Sequence, residues 1–234
     1  MTKKILITGA NGQLGHEMRN ALKGNNRFEC IFTDVAELDI CNAEAVKQII
    51  ADNHIDYIVN CAAYTQVDKA EDNAELCKKI NTDAVENLAR AAADYGARMI
   101  HISTDYVFNG RGYSPYTEDM PPDPQSVYGS TKLEGEKILT DICPESIIIR
   151  TAWLYSPYGN NFVKTMLHLG EEREELSVVA DQIGTPTCAA DLAQAILVIL
   201  QADTFVPGTY HFSDEGVCSW YDFTVTIHRL AGIT

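Results

Sequence analysis

Tyr128 and Lys132 place a phenol and an ammonium group four residues apart, a spacing that brings both side chains to one face of a helix. A phenol with a pKa of about 10 exchanges protons reluctantly near neutral pH. A lysine ammonium and an oxidised nicotinamide nearby would both stabilise the phenolate, so that Tyr128 could donate and accept a proton. The Thr104 hydroxyl could hold a substrate oxygen while hydride passes to or from the adjacent carbon. These three residues are the predicted catalytic residues of an oxidoreductase.

Thr104 follows an apolar run at 97–103, and Tyr128 lies 24 residues further on. The carboxyl end of a strand is where open parallel sheets bind their ligands. Ser103 also carries a hydroxyl, but adjacent side chains of a strand face opposite ways. Only one of the two hydroxyls should therefore reach a substrate, and we expect it to be that of Thr104.

Three glycines, Gly9, Gly12 and Gly15, follow directly on an apolar run and open a helical pattern. A glycine-rich turn in that position offers free backbone N–H groups to a pyrophosphate. The spacing G-x-x-G-x-x-G differs from the G-x-G-x-x-G of ordinary Rossmann dehydrogenases and matches the pattern of short-chain dehydrogenases/reductases. The turn is therefore predicted to bind a dinucleotide.

Asp34 closes the second predicted strand, 19 residues beyond Gly15. An acidic side chain there can accept hydrogen bonds from an adenosine ribose and repel a 2′-phosphate, which favours NAD(H) over NADP(H). Asp39 is an equal candidate for the adenine side of the pocket, and either carboxylate could instead cap a helix. The small residues of 61–65, among them Ala62, allow the backbone to approach the cofactor closely.

The elements that must position these residues follow from the apolar patterning. Strands are predicted near 3–8, 28–33, 56–60, 97–103 and 145–150, and helices near 13–23, 43–52, 72–94 and 127–141. Runs such as Ile5-Leu6-Ile7 are too continuous for half-exposed strands, which indicates strands buried on both faces. The predicted fold is therefore α/β, a doubly wound parallel sheet of Rossmann type. Asn81-Thr82-Asp83 marks a predicted break in the long helix.

The pattern changes after residue 150. Helices are predicted near 161–170, 190–201 and 219–231, with a strand near 208–212 and a solvated acidic helix end at Glu171 to Glu175. No flexible linker precedes this part. We therefore assign residues 1–150 to a dinucleotide-binding domain and residues 151–234 to a smaller C-terminal substrate lobe interleaved with the sheet domain.

Composition excludes several classes of function. Eighteen Lys and Arg against 33 Asp and Glu leave a net charge of −15 on 234 residues, so nucleic acid and membrane surfaces are not expected as partners. No apolar run approaches the roughly 20 residues that cross a bilayer, and no secretory signal is present. Seven scattered cysteines without a Cys-x-x-Cys pair are typical of reduced thiols, which predicts a cytoplasmic protein.

Five segments, in order along the chain, resemble the dTDP-4-dehydrorhamnose reductases, which are short-chain dehydrogenases/reductases of the extended type. They are Gly12-Gln13-Leu14-Gly15, Ala63-Tyr64-Thr65 with Val67-Asp68-Lys69-Ala70-Glu71, Ser103 to Phe108, Tyr128-Gly129-Ser130-Thr131-Lys132 and Arg150 to Tyr155. The resemblance implies reduction by NADPH or NADH of the 4-keto group of dTDP-4-dehydro-L-rhamnose, giving dTDP-L-rhamnose.

The resemblance also implies roles for single residues. Tyr128 would donate the proton, Lys132 would be its electrostatic partner and a ligand of the cofactor ribose, and Thr104 with Asp105 would grip the sugar. Trp153 would form a flat wall against the sugar ring, with core filling as the alternative, and Asp105 could instead be a turn residue. The implied dinucleotide contacts are Gly12, Gln13, Leu14, Asp39, Ile40, Ala63, Tyr64, Thr65 and Asn81, the last as the asparagine that orders a proton-relay water.

Three further expectations follow from the same resemblance. Family members usually continue for several dozen residues, so the lobe is expected to be C-terminally truncated. Some members bind Mg²⁺ at a subunit contact, and Glu17 and Asp191 lie in comparable regions, but no metal site is assigned. A homodimer is an open alternative to a monomer.

Two other functions remain open at this point. The same fold serves as a regulatory subunit of methionine adenosyltransferase, which binds a dinucleotide without turnover. Another nucleotide-sugar epimerase, reductase or dehydratase is the second alternative. Dehydratases add an acidic pair beside the catalytic threonine, whereas here Asp105 is followed by the aromatic Tyr106, a pattern that favours simple reduction.

Overall fold

A six-stranded parallel sheet forms the centre of the computed structural model, which describes residues 2–233. Its strands are β1 (Lys3–Thr8), β2 (Phe28–Phe32), β3 (Tyr57–Asn60), β4 (Arg98–Thr104), β5 (Ile147–Thr151) and β9 (Gly208–His211). Their order is β2-β1-β3-β4-β5-β9, and every neighbouring pair is parallel. The order reverses between β1 and β3, which opens a crevice at the carboxyl ends of these strands.

Helices cover both faces of the sheet. One face carries α1 (Gln13–Ala21) and α8 (Ala189–Gln201), and the other carries α2 (Ala43–Asn53), α5 (Ala84–Tyr95) and α6 (Val127–Ile142). Ile5 and Ile7 pack in the layer under α1 and α8, whereas Leu6 packs in the opposite layer. Each such side chain stabilises the fold by about 1.5–3 kcal/mol on burial. The predicted doubly wound parallel sheet is confirmed.

The residues after β5 serve both the sheet and a smaller lobe. Helix α8 and strand β9 complete the sheet layers, whereas the lobe contains two short strand pairs. In these pairs β6 (Leu154–Tyr155) lies parallel to β8 (Thr187–Cys188), and β7 (Ile183–Gly184) lies antiparallel to β10 (Cys218–Ser219). Helices α7 (Phe162–Glu172) and α9 (Trp220–Ala231) pack together beside them.

The predicted helix near 72–94 is wrong as a single element. The structure has α3 (Val67–Asp72), α4 (Ala74–Lys78), a π-helical turn at Lys79–Asp83 and then α5. The predicted break at 81–83 coincides with the π-helical turn. The widened turn brings the Asn81 side chain to the loop after β3, a long-range contact that local periodicity does not encode.

The acidic run at Glu171 to Glu175 is exposed and overlaps the end of α7, as predicted. Among the helices described within residues 2–233, none combines the length and the apolar character that a membrane span requires.

Candidate active site

The glycine turn between β1 and α1 is closely packed against the strand end beside it. Gly9 has a φ of +64°, and a Cβ atom there would lie 2.6 Å from the Ala62 nitrogen. A Cβ atom on Gly15 would lie 2.5 Å from the Ala10 Cα, and the Gly12 N–H donates to the Gly9 carbonyl at 3.0 Å. Gly9 and Gly15 are therefore positions that only glycine fits without displacing backbone.

This turn fits a pyrophosphate group. Gly12 is the N-cap of α1, and no side chain caps the first turn of that helix. The N–H groups of the first turn of α1, which follows Gly12, and the positive end of the helix dipole are thus available to an anion. The close packing of Gly9 against Cys61 and Ala62 also brings the 61–65 loop next to the turn.

Asp34 lies at the base of the glycine turn. Its Oδ2 accepts the Asn11 N–H at 2.9 Å and its Oδ1 accepts the Val35 N–H at 2.8 Å. Asp34 therefore holds the glycine turn in place through Asn11. The ribose contact expected for Asp34 stays a prediction. Asp39 is exposed and accepts the Cys41 N–H at 2.9 Å, and the neighbouring Ile40 is buried.

Two of the residues expected to line the cofactor have other contacts. The Leu14 side chain is 4% exposed within the apolar layer under α8, so only its backbone can face the crevice. The Gln13 Oε1 accepts from Asn161 Nδ2 at 2.9 Å and from the Ser156 hydroxyl at 3.3 Å. Gln13 thus connects the first turn of α1 to the lobe.

Asn81 fixes the loop after β3. Its Oδ1 accepts the Tyr64 N–H at 2.8 Å, and its Nδ2 donates to the Tyr64 carbonyl at 3.1 Å. Nδ2 also lies 3.4 Å from the Thr131 hydroxyl of α6. Asn81 therefore links the 61–65 loop to the helix that carries Tyr128, and the water-ordering role expected for it stays a prediction.

Thr104 and Tyr128 meet at the carboxyl end of β4. Burial raises the pKa of the Tyr128 phenol, and the neighbouring Thr104 hydroxyl opposes that shift. The Thr104 hydroxyl also donates to Asp105 Oδ1 at 3.0 Å and accepts the Tyr106 N–H at 3.2 Å. Burial raises the pKa of Asp105 to about 6. Tyr128 is thus a protonated phenol near neutral pH, with Thr104 as its polar neighbour.

Ser103 takes the opposite direction from Thr104, as the alternation of a strand requires. Its hydroxyl bonds to the Glu136 carboxylate of α6, which is also held by the Arg150 guanidinium of β5 at 2.7 Å. Both members of this ion pair are buried. The structure therefore places Thr104, and not Ser103, beside Tyr128.

Lys132 is buried one helical turn after Tyr128, with 1% of its surface exposed. Its Nζ donates to the Ile102 carbonyl at 2.6 Å and lies 3.3 Å from Nε2 of His101. Burial lowers the pKa of Lys132 to about 8. The hydrogen bonds described for Lys132 do not include one to Tyr128, so their electrostatic pairing stays a prediction.

Trp153 lies at the junction of the sheet and the lobe with a φ of +48°. Its ring stacks on Trp220 at a centroid distance of 3.4 Å. Gly184 leaves room for the same ring, because a Cβ atom there would lie 2.5 Å from Cζ2 of Trp153. Phe162 and Phe223 extend this aromatic cluster. One face of Trp153 is therefore covered by protein, which limits any sugar contact to its other side.

Sequence reasoning missed three groups of this site. His101 contacts Lys132, Glu136 and Arg150 form the buried ion pair, and Trp220 covers Trp153. The alternation of polar residues in β4 is the sequence signal that could have revealed the contacts of His101 and of Glu136. The same alternation is found in strands that face solvent on one side, so it does not identify a buried polar cluster by itself. Within residues 2–233, no group of three or more His, Cys, Asp and Glu side chains is arranged to hold a metal ion.

Comparison with known proteins gives one consistent result. The family model for the RmlD substrate binding domain matches residues 3–234. The chain is 44% identical to dTDP-4-dehydrorhamnose reductase from Aggregatibacter actinomycetemcomitans, over 96% of this chain and 78% of that protein.

Two solved structures with the same description are similar throughout. The Clostridium acetobutylicum structure is 52% identical with a TM-score of 0.95, over 98% of this chain and 81% of that chain. The Bacillus anthracis structure, a complex with NADP, is 43% identical with a TM-score of 0.96, over 100% and 82%.

Proposed function

The chain belongs to the family of dTDP-4-dehydrorhamnose reductases, and we propose that Thr104, Tyr128 and Lys132 carry out its chemistry. The protein is an NAD(P)H-dependent oxidoreductase of dTDP-rhamnose biosynthesis. It reduces the 4-keto group of dTDP-4-dehydro-L-rhamnose to the hydroxyl of dTDP-L-rhamnose. The observation that supports the residue assignment best is the contact of Thr104 with a protonated Tyr128 at the carboxyl end of β4.

Tyr128 is the proposed proton donor. Reduction of a ketone leaves negative charge on its oxygen, and the proton that neutralises this charge must come from a group that is protonated before the step. Burial keeps the Tyr128 phenol in that form. A positioned general acid of this kind contributes about 10²- to 10⁴-fold to a rate.

Thr104 is the proposed anchor for the reacting oxygen. Its hydroxyl donates to Asp105 in the structure, and the two groups together would hold the oxygens of the sugar. Because the pKa of Asp105 is raised to about 6, this carboxyl is mostly ionised at pH 7 and remains an acceptor for a sugar hydroxyl. Thr104 and Asp105 therefore offer both a donor and an acceptor.

Nicotinamide dinucleotide is the cofactor class, and the glycine turn is its proposed pyrophosphate site. When bound, it supplies the hydride. The proposed contacts are Gly9, Gly12, Gln13, Leu14 through its backbone, Gly15, Asp34, Asp39, Ile40, Ala62, Ala63, Tyr64, Thr65 and Lys132. Asn81 would not contact the cofactor directly but would hold the 61–65 loop in position through its hydrogen bond with Tyr64.

We propose that the cofactor is either NADPH or NADH. The carboxylate of Asp34 disfavours a 2′-phosphate close to it. The Bacillus anthracis relative, in contrast, is described as a complex with NADP. Because Asp34 already accepts two backbone N–H groups, its charge is partly satisfied within the protein, which weakens its preference for NADH.

The substrate is proposed to lie between the sheet domain, assigned to residues 1–150, and the lobe formed within residues 151–234, which also supply α8 and β9 to the sheet. Trp153 would border the sugar with the ring side that Trp220 leaves open. We also propose a cytoplasmic location, with Mg²⁺ and a homodimer kept as untested additions. The regulatory-subunit alternative is not favoured, since the relatives reported above are described as reductases.

Oxidation of NADPH, followed at 340 nm with dTDP-4-dehydrorhamnose as substrate, tests the proposal most directly. We expect turnover with this substrate and none with dTDP-glucose, which has no keto group. Tyr128→Phe should remove nearly all turnover and leave the NADPH dissociation constant within about threefold, because it removes a proton and little contact area. Retention of most activity by this variant would refute the role of Tyr128.

A further inference from the structure

A chain of oriented hydrogen bonds crosses the sheet beneath the site and ends at Lys132. It starts at Asn60 on β3, whose Oδ1 accepts the Ala62 backbone N–H at 3.2 Å and the Thr8 hydroxyl at 2.7 Å. A backbone N–H can only donate, so the oxygen of the Asn60 amide must face Ala62. The orientation of this buried amide is thereby fixed.

The amide orientation fixes the tautomer of His101. With its oxygen engaged, Asn60 presents Nδ2 to His101 Nδ1 at 3.0 Å, and an NH₂ group can only donate. Nδ1 of His101 must therefore be the unprotonated nitrogen. Burial lowers the pKa of His101 well below its usual range, so the ring is neutral. A neutral ring with a bare Nδ1 carries its one proton on Nε2.

The Nε2–H group of His101 faces Lys132 Nζ at 3.3 Å. An ammonium group has three donors and no acceptor, so two donors would oppose each other across this distance. An uncharged amine has one lone pair for Nε2–H and can still donate to the Ile102 carbonyl at 2.6 Å. We propose that His101 is a positioning residue that favours the uncharged amine form of Lys132 until the cofactor binds.

The charged groups around Lys132 are compatible with this state. Burial lowers the pKa of Lys132 to about 8, whereas Glu136, one turn further along α6, and Cys77 of α4 raise it. Glu136 is already paired with Arg150 at 2.7 Å, which limits the support it gives to a second cation. On the preceding turn Tyr128 is a neutral phenol. Neither the ion pair nor the phenol offers Lys132 a free negative charge. The uncharged amine, which can accept the Nε2–H group of His101, therefore fits these surroundings.

This inference rests on the proposed role of Lys132 in binding the cofactor ribose, and it predicts proton uptake on binding. When Lys132 leaves His101, its amine takes one proton from solvent and becomes an ammonium. With a pKa of about 8 in the free protein, about three quarters of the Lys132 population would be uncharged at pH 8.5. NADPH binding at pH 8.5 should therefore take up about three quarters of a proton per site.

The first experiment examines His101 without any cofactor. Protein labelled with ¹⁵N-histidine is studied by long-range ¹H–¹⁵N correlation NMR, and the His101 signals are assigned by their loss in His101→Phe or, should that variant not fold, in His101→Gln. We expect a bare Nδ1 and a protonated Nε2 between pH 6 and 9. We also expect a shift of these signals near pH 8 that Lys132→Met abolishes and Lys137→Met, on the exposed side of α6, retains. The opposite tautomer would overturn the proposal.

The second experiment is calorimetry of NADPH binding at pH 8.5 in buffers with different enthalpies of ionisation. The observed binding enthalpy is plotted against the ionisation enthalpy of the buffer, and the slope gives the number of protons taken up per site. We expect this number to fall by at least half in His101→Phe and Lys132→Met and to persist in Lys137→Met. Normal binding with no proton uptake in the unmodified protein would refute the role of His101. A complete lack of NADPH binding would instead refute the proposed function, and the NMR result would still decide on His101.

Discussion

Breaking the buried ion pair beneath the site should destabilise the protein far more than breaking an exposed pair. The side chains of Glu136 and Arg150 are only 5% and 7% exposed. The guanidinium Nε contacts both carboxylate oxygens, at 3.0 and 3.2 Å, and Nη2 contacts one of them at 2.7 Å. Removing either partner leaves the other charge buried, with its hydrogen-bonding groups unsatisfied.

The expected cost of Glu136→Gln or of Arg150→Met is about 3–5 kcal/mol in the free energy of unfolding. For a chain of this length 1 kcal/mol corresponds to about 2–4 °C in Tm, so either change should lower Tm by roughly 6–20 °C. The double variant that combines Glu136→Gln with Arg150→Met removes both charges together. The double variant should therefore be more stable than at least one of the single variants.

Urea and thermal unfolding followed by circular dichroism measure these differences. Glu86→Gln is the matched control, because Glu86 pairs with Arg90 at 2.6 Å on the surface of α5, where such a pair is worth about 0.3–0.5 kcal/mol. Single variants at Glu136 and Arg150 that lose less than 1 kcal/mol would refute the reasoning. Purely additive losses in the double variant would refute it as well.

Three other changes test the site directly. Thr104→Val should lower kcat about 10²- to 10³-fold by removing a donor to the reacting oxygen, and Thr104→Ser should restore most of it; equal losses would show a packing role. Gly15→Ala should weaken NADPH binding in calorimetry, because the new Cβ atom would lie 2.5 Å from the Ala10 Cα, whereas Gly24→Ala, at a φ of +75° in open space, should cost stability alone. The pKa of Asp105 is raised from 3.8 to about 6 in the folded protein, so its ionisation opposes folding increasingly as pH rises from about 4 to 6 and fully above that. Asp105→Asn should therefore stabilise the protein at pH 7.5 and have little effect at pH 3.5, and a gain independent of pH would contradict this.

The sheet and the glycine turn could be predicted because local patterns determine them. Residues buried on both faces, such as Ile5 and Leu6, produce a continuous apolar run, and the position of Gly9 to Gly15 after that run locates the dinucleotide turn. The alternation of a strand alone predicted that only one of Ser103 and Thr104 reaches the site. These predictions needed no knowledge of distant contacts.

Contacts between distant residues account for what the sequence did not reveal. Trp153 meets Trp220 across 67 positions, so a ring expected to face a sugar is half covered by the protein itself. The helix expected near 72–94 is divided, and Asn81 in its π-helical turn accepts a hydrogen bond from Tyr64, in a loop 17 residues earlier. The apolar periodicity of one segment carries no information about such distant partners.

Strand β4 shows how such contacts could be recognised in a sequence. Its polar residues His101 and Ser103 alternate with isoleucines, a pattern that normally indicates a strand with one face in water. The strands on either side, β3 and β5, are apolar and buried over Ile58-Val59 and Ile147 to Ile149, so a water-facing strand between them is inconsistent. The polar side chains must therefore be buried against a helix with matching groups. Helix α6 supplies them as Lys132, which contacts His101, and Glu136, which contacts Ser103. The two residues are four apart and therefore lie on one face of the helix, the face that packs against β4.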